Sequence, residues 1–459
     1  MNLNEIKKAY FIGIKGSGMT AIAEILKERG VDVSGSDIKE KFFTDEILKK
    51  NKIGFKEEFD EKNIPNDIDL IIYSTAYSEN NNPEIVEAKR RNILMLSYPE
   101  VLGALIGEKL GIAVCGTHGK TTTTALLAEA FRSAGVDPGA VVGSKVIDWE
   151  GSVLTGKGNY FIAEADEYQN KFQHYNPWGV VLTSCDWDHP DFFPNFGEYK
   201  KAFEDFVSKV PKHGFLVECG DEANVCDIGK NAKCEVLTYG FLEGNDYKIT
   251  NYELKIKNNL QFFSVYNKEK KIGDFEIQLI GKHNILNAAA VVAVCHKLKF
   301  DLEKAREALK NFKGTSRRFE FIGKRNGAIL IDDYAHHPEE IKATLRAARE
   351  IYNHKNIIAV FHPHTFTRTK ALLSEFSQSF DCCDTVIVLD IYGSAREIQG
   401  GVSSKDLTDL INKYNQGKAE YIPTIQEAMD FLKDKIGGKD VVISMGAGNV
   451  WQVTDKLKE

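Results

Sequence analysis

A chain of 459 residues is long enough for about three domains at roughly 150 residues each, which excludes a peptide or a single small module. Lys plus Arg number 59 against 66 Asp plus Glu, a net charge of −7 that argues against a nucleic-acid-binding face, and 43% hydrophobic with 27% charged residues is ordinary globular composition. No uncharged apolar run reaches the ~18 residues of a membrane span, and the first eight residues lack a signal segment, so a cytoplasmic protein without membrane contact is expected.

Short β-branched runs alternate with amphipathic stretches along the whole chain, the pattern of parallel sheets covered by helices, so the fold class is α/β. A first unit, residues 1–107, has strands at 10–14, 32–34 and 70–74 and a helix at about 19–29. Between its first strand and helix lies the glycine-rich turn Gly13-Ile-Lys-Gly-Ser-Gly18. Its order, G-x-x-G-x-G, differs from the G-x-G-x-x-G fingerprint of dinucleotide binding, and its backbone amides can instead hold the diphosphate of a sugar nucleotide.

The second unit, residues 108–314, opens with a strand at 111–115 that runs directly into Gly116-Thr-His-Gly-Lys-Thr-Thr122 and a helix at 125–133. A glycine turn at a helix N-terminus points backbone N–H groups at a polyphosphate, where the helix dipole also favours negative charge. Lys120 is placed to reach the phosphates and the Thr121 hydroxyl to ligate Mg²⁺. The loop is two residues shorter than G-x-x-x-x-G-K-[ST], since position 114 is Val. Strands at 160–164 and 180–183 end in Glu164-Ala-Asp-Glu167 and Ser184-Cys-Asp-Trp-Asp-His189. Ligands of open parallel sheets bind beyond the carboxyl ends of the strands, so these acids can converge on the phosphate loop, and carboxylate oxygens suit Mg²⁺. Glu164 is the preferred ligand, with His189 for a second metal. From 214 to 280 the chain is strand-rich, with turns at Glu243-Gly-Asn-Asp246 and Lys257-Asn-Asn259 and antiparallel strands extending the sheet. Helices follow at 284–297 and 302–311, then a linker at 313–316. The eight cysteines include no Cys-x-x-Cys pair and read as reduced thiols.

The third unit, residues 315–459, has strands at 328–332, 357–361, 385–389 and 441–444, separated by helices at 338–352, 369–380 and 425–432. Gly281-Lys-His-Asn284, Ser316-Arg-Arg-Phe319, Asp332-Asp-Tyr-Ala-His-His-Pro338 and His362-Pro-His-Thr-Phe-Thr-Arg-Thr369 concentrate His, Arg and Asp at element ends. The Asp332-Asp333 pair follows a buried strand, and buried acids need partners.

These motifs, in this order, resemble the Mur ligase superfamily of ATP-dependent amino-acid ligases. The likeness also takes in Ser74-Thr-Ala76, Asn82-Pro-Glu-Ile85, Asp390-Ile-Tyr392 and Gly446-Ala-Gly448, and so runs nearly end to end. It implies an N-terminal Rossmann-like domain that binds a UDP-sugar, a central P-loop ATPase-like sheet that binds ATP, and a C-terminal Rossmann-like domain that brings the amino acid. Carried over residue by residue, it implies UDP-sugar contacts at Gly16, Ser17, Gly18, Met19, Asp37, Ser74 and Thr75. ATP contacts fall at Gly116, Thr117, His118, Gly119, Lys120, Thr121, Thr122, His283, Asn284, Arg318 and Asp332. Thr121, Glu164 and His189 are the implied Mg²⁺ ligands, and Tyr334, His336 and Arg368 face the amino acid. Lys120, Arg318, Asp332 and His336 are the catalytic candidates, with His336 as base because His titrates near neutral pH. The implied reaction joins L-alanine, or alternatively a recycled murein tripeptide, to the lactyl carboxylate of UDP-N-acetylmuramate through an acyl phosphate, in peptidoglycan precursor synthesis. The expected protein is a monomer or homodimer with no nucleic-acid partner.

The chain departs from the family pattern at four places. Lys15 stands where the family has Gly, Ser184-Cys-Asp186 replaces Asn-x-Glu, and Thr365 takes a position that the L-alanine branch fills with Arg. The run from Tyr168 to His174 resembles the tripeptide branch. For the modified lysine of other branches, Lys200 and Lys201 are only nearby candidates.

Overall fold

The alternating apolar runs condense into three sheets in this computed structural model, which describes residues 3–42, 44–255, 260–393, 397 and 399–458. The first has five parallel strands in the order Gly54–Lys56, Asp32–Ser36, Lys8–Ile12, Leu70–Tyr73, Met95–Ser97. The chain winds outward one way from Lys8–Ile12 and then the other way from Leu70–Tyr73, so a crevice opens between those two strand ends. Gly13 and Ser74 emerge there, and helix Ser17–Glu28 begins beside them.

The second sheet has ten strands, and those from Tyr247–Lys255 through Glu235–Gly240, Phe215–Cys219, Gly179–Leu182, Leu110–Cys115 and Tyr160–Glu164 to Gly139–Val146 run parallel. Leu260–Asn267 and Lys270–Ile277 add the expected antiparallel extension. The turn expected at Lys257-Asn-Asn259 lies outside the described residues. Helix Lys120–Ser133 starts five residues before the expected 125. Four consecutive threonines are poor helix formers, but all four are buried, and Thr124 Oγ1 donates to the Lys120 carbonyl at 2.8 Å, so packing overrides propensity.

The third sheet is ordered Glu320–Arg325, Ala328–Asp333, Asp440–Met445, Asn356–Phe361, Thr385–Val388, Ala419–Tyr421, with only the first pair antiparallel. The single helix expected at 369–380 is two, Phe366–Ala371 and Leu373–Ser377, because Leu372 leaves helical dihedrals (φ −113°, ψ 24°). Among the described residues no helix is long and apolar enough to cross a membrane.

One continuous hydrophobic cluster runs through the first two units, from Phe11 and Leu102 to Ile112 and Phe172, whereas the third unit packs separate clusters on the two faces of its own sheet. Helix Tyr98–Gly107 is the joint between the first two. A Cβ on Gly103 would lie 2.1 Å from the His174 carbonyl oxygen, so only glycine permits this approach. Gly103→Ala is therefore expected to destabilise the chain by about 1–3 kcal/mol through overpacking, read as a lower midpoint in chemical denaturation; an unchanged midpoint would contradict the close approach.

Candidate active site

A cavity of about 440 Å³ opens where the carboxyl ends of the first two sheets face the third unit. Gly16, Ser17, Gly18, Met19, Ser74 and Thr75 line it from the first unit, Thr117, Lys120, Glu164 and His189 from the second, and Arg318, Tyr334 and His336 from the third. A second cavity of about 310 Å³ adjoins it and holds His118, Thr122, His283 and Asn284. Gly119, Thr121, Arg318 and Glu340 line both.

The phosphate loop leaves strand Leu110–Cys115 and turns into its helix at Gly119, whose φ of 78° is left-handed. A Cβ there would meet Asn287 Oδ1 at 2.6 Å, so glycine is required for both conformation and space. Lys120 Nζ donates to the carbonyls of Gly116 (2.5 Å) and Thr117 (3.1 Å) and pairs with Glu167 at 3.1 Å. Burial alone would lower its pKa, but Glu167, Asp166 and Glu164 raise it, so the ammonium stays charged.

Two acidic groups flank that ammonium. Glu164 accepts from Thr121 Oγ1 at 2.9 Å and from the Gly143 N–H at 2.7 Å; burial pushes its pKa up while Lys120 pulls it down. Asp166, Glu167 and His189 have ligand atoms within 4.8 Å of one another. His189 is held in a left-handed conformation (φ 56°), with its ring stacked on Tyr168 at 4.5 Å. Carboxylate and hydroxyl oxygens with one imidazole fit a hard divalent cation such as Mg²⁺. Sequence reasoning chose Glu164 and passed over Asp166 and Glu167 of the same run, because the bend after the strand that turns Glu167 toward Lys120 leaves no mark in the sequence.

From the third unit, His336 sets Nδ1 2.9 Å from the Tyr334 carbonyl oxygen and 3.3 Å from Glu340, and burial pushes its pKa down to about 4. It is neutral at pH 7, and donation from Nδ1 to the carbonyl leaves Nε2 as the lone-pair nitrogen. Arg318 lies over the Tyr334 ring at 5.0 Å. Burial and Arg318 push His283 down to about 4 as well. Asn284 donates to the Ile280 carbonyl at 2.7 Å and accepts from Asn287 at 3.1 Å.

Four expected site residues lie off both cavities. Arg368 is buried and gives Nε and Nη2 to the two carboxylate oxygens of Asp188, at 2.7 and 3.2 Å. Burial would raise Asp188, but Arg368 holds it well below the usual carboxylate range. Asp332 accepts from Arg317 at 2.9 Å and Ser444 at 2.6 Å, away from the second cavity; its neighbour Asp333 lines that cavity and accepts from the Phe319 and Ala335 N–H groups at 2.7 and 2.8 Å. Asp37 accepts from the Lys15 and Ile38 N–H groups, at 2.7 and 2.8 Å, and so shapes the glycine turn from behind. Gly116 offers its carbonyl to Lys120 without lining either cavity. Lys15 buries its ammonium against the Ile38 and Glu40 carbonyls, at 2.8 and 3.0 Å. Lys200 and Lys201 pair with Asp227 and Asp205, and neither lines a cavity holding the phosphate loop. The residues that sequence reasoning missed are Glu167, Asp186, Asn287, Asp333 and Glu340. Asn287 alone carried a readable signal, one helical turn from Asn284 on the same face.

Three family models match in succession: Mur ligase family, catalytic domain, over residues 8–110; Mur ligase middle domain over 114–295; and Mur ligase, glutamate ligase domain, over 317–448. A protein of Caldanaerobacter subterraneus subsp. tengcongensis named UDP-N-acetylmuramate–L-alanine ligase is 41% identical over 468 aligned residues, covering 100% of this chain and 99% of its own. The crystal structure of a UDP-N-acetylmuramate–alanine ligase from Thermotoga maritima superposes with a TM-score of 0.82 at 27% identity, covering 98% of each chain. A murein peptide ligase from Psychrobacter arcticus has the same fold, with a TM-score of 0.72 at 22% identity over 98% of each chain.

The second and third units are pinned together through His118, whose Nε2 lies 3.2 Å from Asp186 and Nδ1 3.3 Å from Glu340. Burial lowers its pKa, but these two acids outweigh it and push the value up to about 10. A raised folded-state pKa stabilises fully below the unfolded value of about 6.5 and loses that contribution as pH rises through about 10. The gap in melting temperature between wild type and His118→Gln is expected to be widest near pH 6.5 and to close toward pH 10. A gap that does not vary with pH would mean that His118 is uncharged.

Proposed function

The chain belongs to the Mur ligase family, and on that premise we propose that it joins L-alanine to the lactyl carboxylate of UDP-N-acetylmuramate using ATP. The observation that carries this reading is the single cavity shared by the glycine turn of the first unit, the phosphate loop and acids of the second, and Arg318, Tyr334 and His336 of the third. A ligase of three substrates needs such a meeting point. On this reading residues 1–107 take the UDP-sugar, 108–314 ATP and 315–459 the amino acid. A cytoplasmic location fits the need for ATP, and a monomer or homodimer suffices because the described residues of one chain supply every group.

A carboxylate is too poor an electrophile for an amine. Its oxygen first takes the γ-phosphoryl group of ATP, giving an acyl phosphate and ADP; the neutral amine then attacks the acyl carbon, and the C–O bond to phosphate breaks. The amides of Ser17 and Gly18 at the start of helix Ser17–Glu28 offer donors to the diphosphate of the UDP-sugar. Lys120 offsets charge as two anions approach, a task of positioning and electrostatics. Thr121, Glu164, Asp166, Glu167 and His189 are the groups that would hold Mg²⁺, which when bound supplies further positive charge to the phosphates. His283, Asn284, Thr122 and Asp333 surround the neighbouring cavity for the nucleoside. Neutral His336 Nε2 offers a lone pair to hydrogen-bond the amine, but burial that pushes its pKa down to about 4 makes it a weak base, against the expectation that it titrates near neutral pH.

The tripeptide alternative is not favoured. The full-length relative at 41% identity bears the alanine-ligase name, whereas the likeness to the murein peptide ligase at 22% carries the fold alone.

Phosphate release is expected only when ATP, UDP-N-acetylmuramate and L-alanine are all present, with murein tripeptide a poor substitute for L-alanine. Lys120→Ala should lower turnover by about a hundredfold or more, while UDP-sugar affinity by calorimetry stays nearly unchanged. Loss of UDP-sugar binding in a folded Lys120→Ala protein would overturn the division of ligands between domains.

A further inference from the structure

Glu340 is the third residue of helix Pro338–Ile351, and its Oε2 accepts from the backbone N–H groups of His336 (3.0 Å) and His337 (3.3 Å). One oxygen therefore accounts fully for a helix cap. The other reaches across to the second unit. Oε1 lies 3.3 Å from Nδ1 of His118 in the phosphate loop and 3.9 Å from the Arg318 guanidinium. The side chain is only 13% exposed and stands in the septum between the two cavities, in company with Gly119, Thr121 and Arg318.

A single carboxylate thus joins the loop that would hold the phosphates to the backbone that presents His336. We propose that Glu340 is a positioning residue that couples the phosphate loop to the amino-acid site, so that His336 is correctly placed only while His118 holds the other carboxylate oxygen. This deepens the ligase reading and rests on it for the identity of the amine. The physical basis is local: apolar contact between the second and third units runs through Trp187 and through the small cluster of Ile280 with Ala347 and Ile351, whereas the contacts that Glu340 makes to the phosphate loop are polar. A bond to an ionised group is roughly twice as strong as a neutral one, and here both oxygens of one carboxylate are committed to opposite sides of the domain boundary.

Two variants separate this coupling from a simple cap. Glu340→Gln keeps an oxygen for the His336 and His337 N–H groups but removes the charge that faces His118. It is expected to raise KM for L-alanine about tenfold and lower kcat by a similar factor, with KM for the UDP-sugar nearly unchanged. His118→Ala leaves the cap chemically intact, yet hydrogen exchange at the His336 and His337 amides should speed up about fivefold, the scale of one weakened hydrogen bond. Wild-type amino-acid KM in Glu340→Gln, or unchanged exchange at 336–337 in His118→Ala, would overturn the proposal. The exchange measurement needs no turnover, so a wild-type chain that fails to ligate L-alanine would sink the ligase reading and leave the coupling to be decided by exchange alone.

Discussion

The cleft depends on charge pairs that cross from the second unit to the third, above all Arg368 with Asp188. Both side chains are almost fully buried, and the guanidinium meets the carboxylate with two hydrogen bonds at 2.7 and 3.2 Å. Such a pair gains little net stability over apolar packing, but removing one partner strands an uncompensated buried charge, which costs about 3–5 kcal/mol. It therefore acts on position more than on stability. Asp188 immediately precedes His189, and Arg368 lies in the helix after His364, so the pair sets the third unit's register against the acids around Lys120. Arg318, Tyr334 and His336 reach the cavity because this register holds. The same pairing occupies the guanidinium that was expected to face the amino acid, so an incoming carboxylate finds Arg368 already partnered by Asp188.

The three units share hydrophobic core unequally. The first two units are joined by one cluster and by the close approach of Gly103 to the His174 carbonyl. The third is held by the Arg368–Asp188 and His118–Glu340 pairs, by His337 near the Trp187 carbonyl, and by a small apolar cluster of Ile280 with Ala347 and Ile351. The apolar core shared by the first two units is thus far larger than the one either shares with the third. The two cavities adjoin along that boundary and share Gly119, Thr121, Arg318 and Glu340.

Legibility followed locality. The phosphate loop could be read because its donors, lysine and threonine occupy one strand-to-helix turn, and the helix dipole acts on whatever that turn holds. The three-unit α/β order could be read because apolar periodicity survives without tertiary information. Asp332 and Asp333 could not be told apart: neighbouring strand residues face opposite sides, and no local feature fixes which side meets the second cavity. Asp37 reads as a ligand at a strand end but spends both oxygens on the backbone of its own domain. Glu340 is hidden for a different reason, since a Glu three residues into a helix is fully explained by capping until the fold brings His118, 222 residues away, against its second oxygen.

Ser184 and Asp186 act on the same residue of the phosphate loop: Ser184 Oγ accepts the His118 backbone N–H at 2.8 Å, and Asp186 holds the His118 ring at 3.2 Å. Thr183 and Thr117 close the loop from the same side, the first donating to the Cys115 carbonyl at 3.1 Å and the second to the Asp186 carbonyl at 2.8 Å. The short loop is therefore not self-supporting. It takes its shape from the end of strand Gly179–Leu182 and the residues that follow, and that segment also carries Asp188 to Arg368. One stretch of chain thus shapes the phosphate loop on one side and anchors the third unit on the other, which is why the acids, the loop and the third unit share a single cleft.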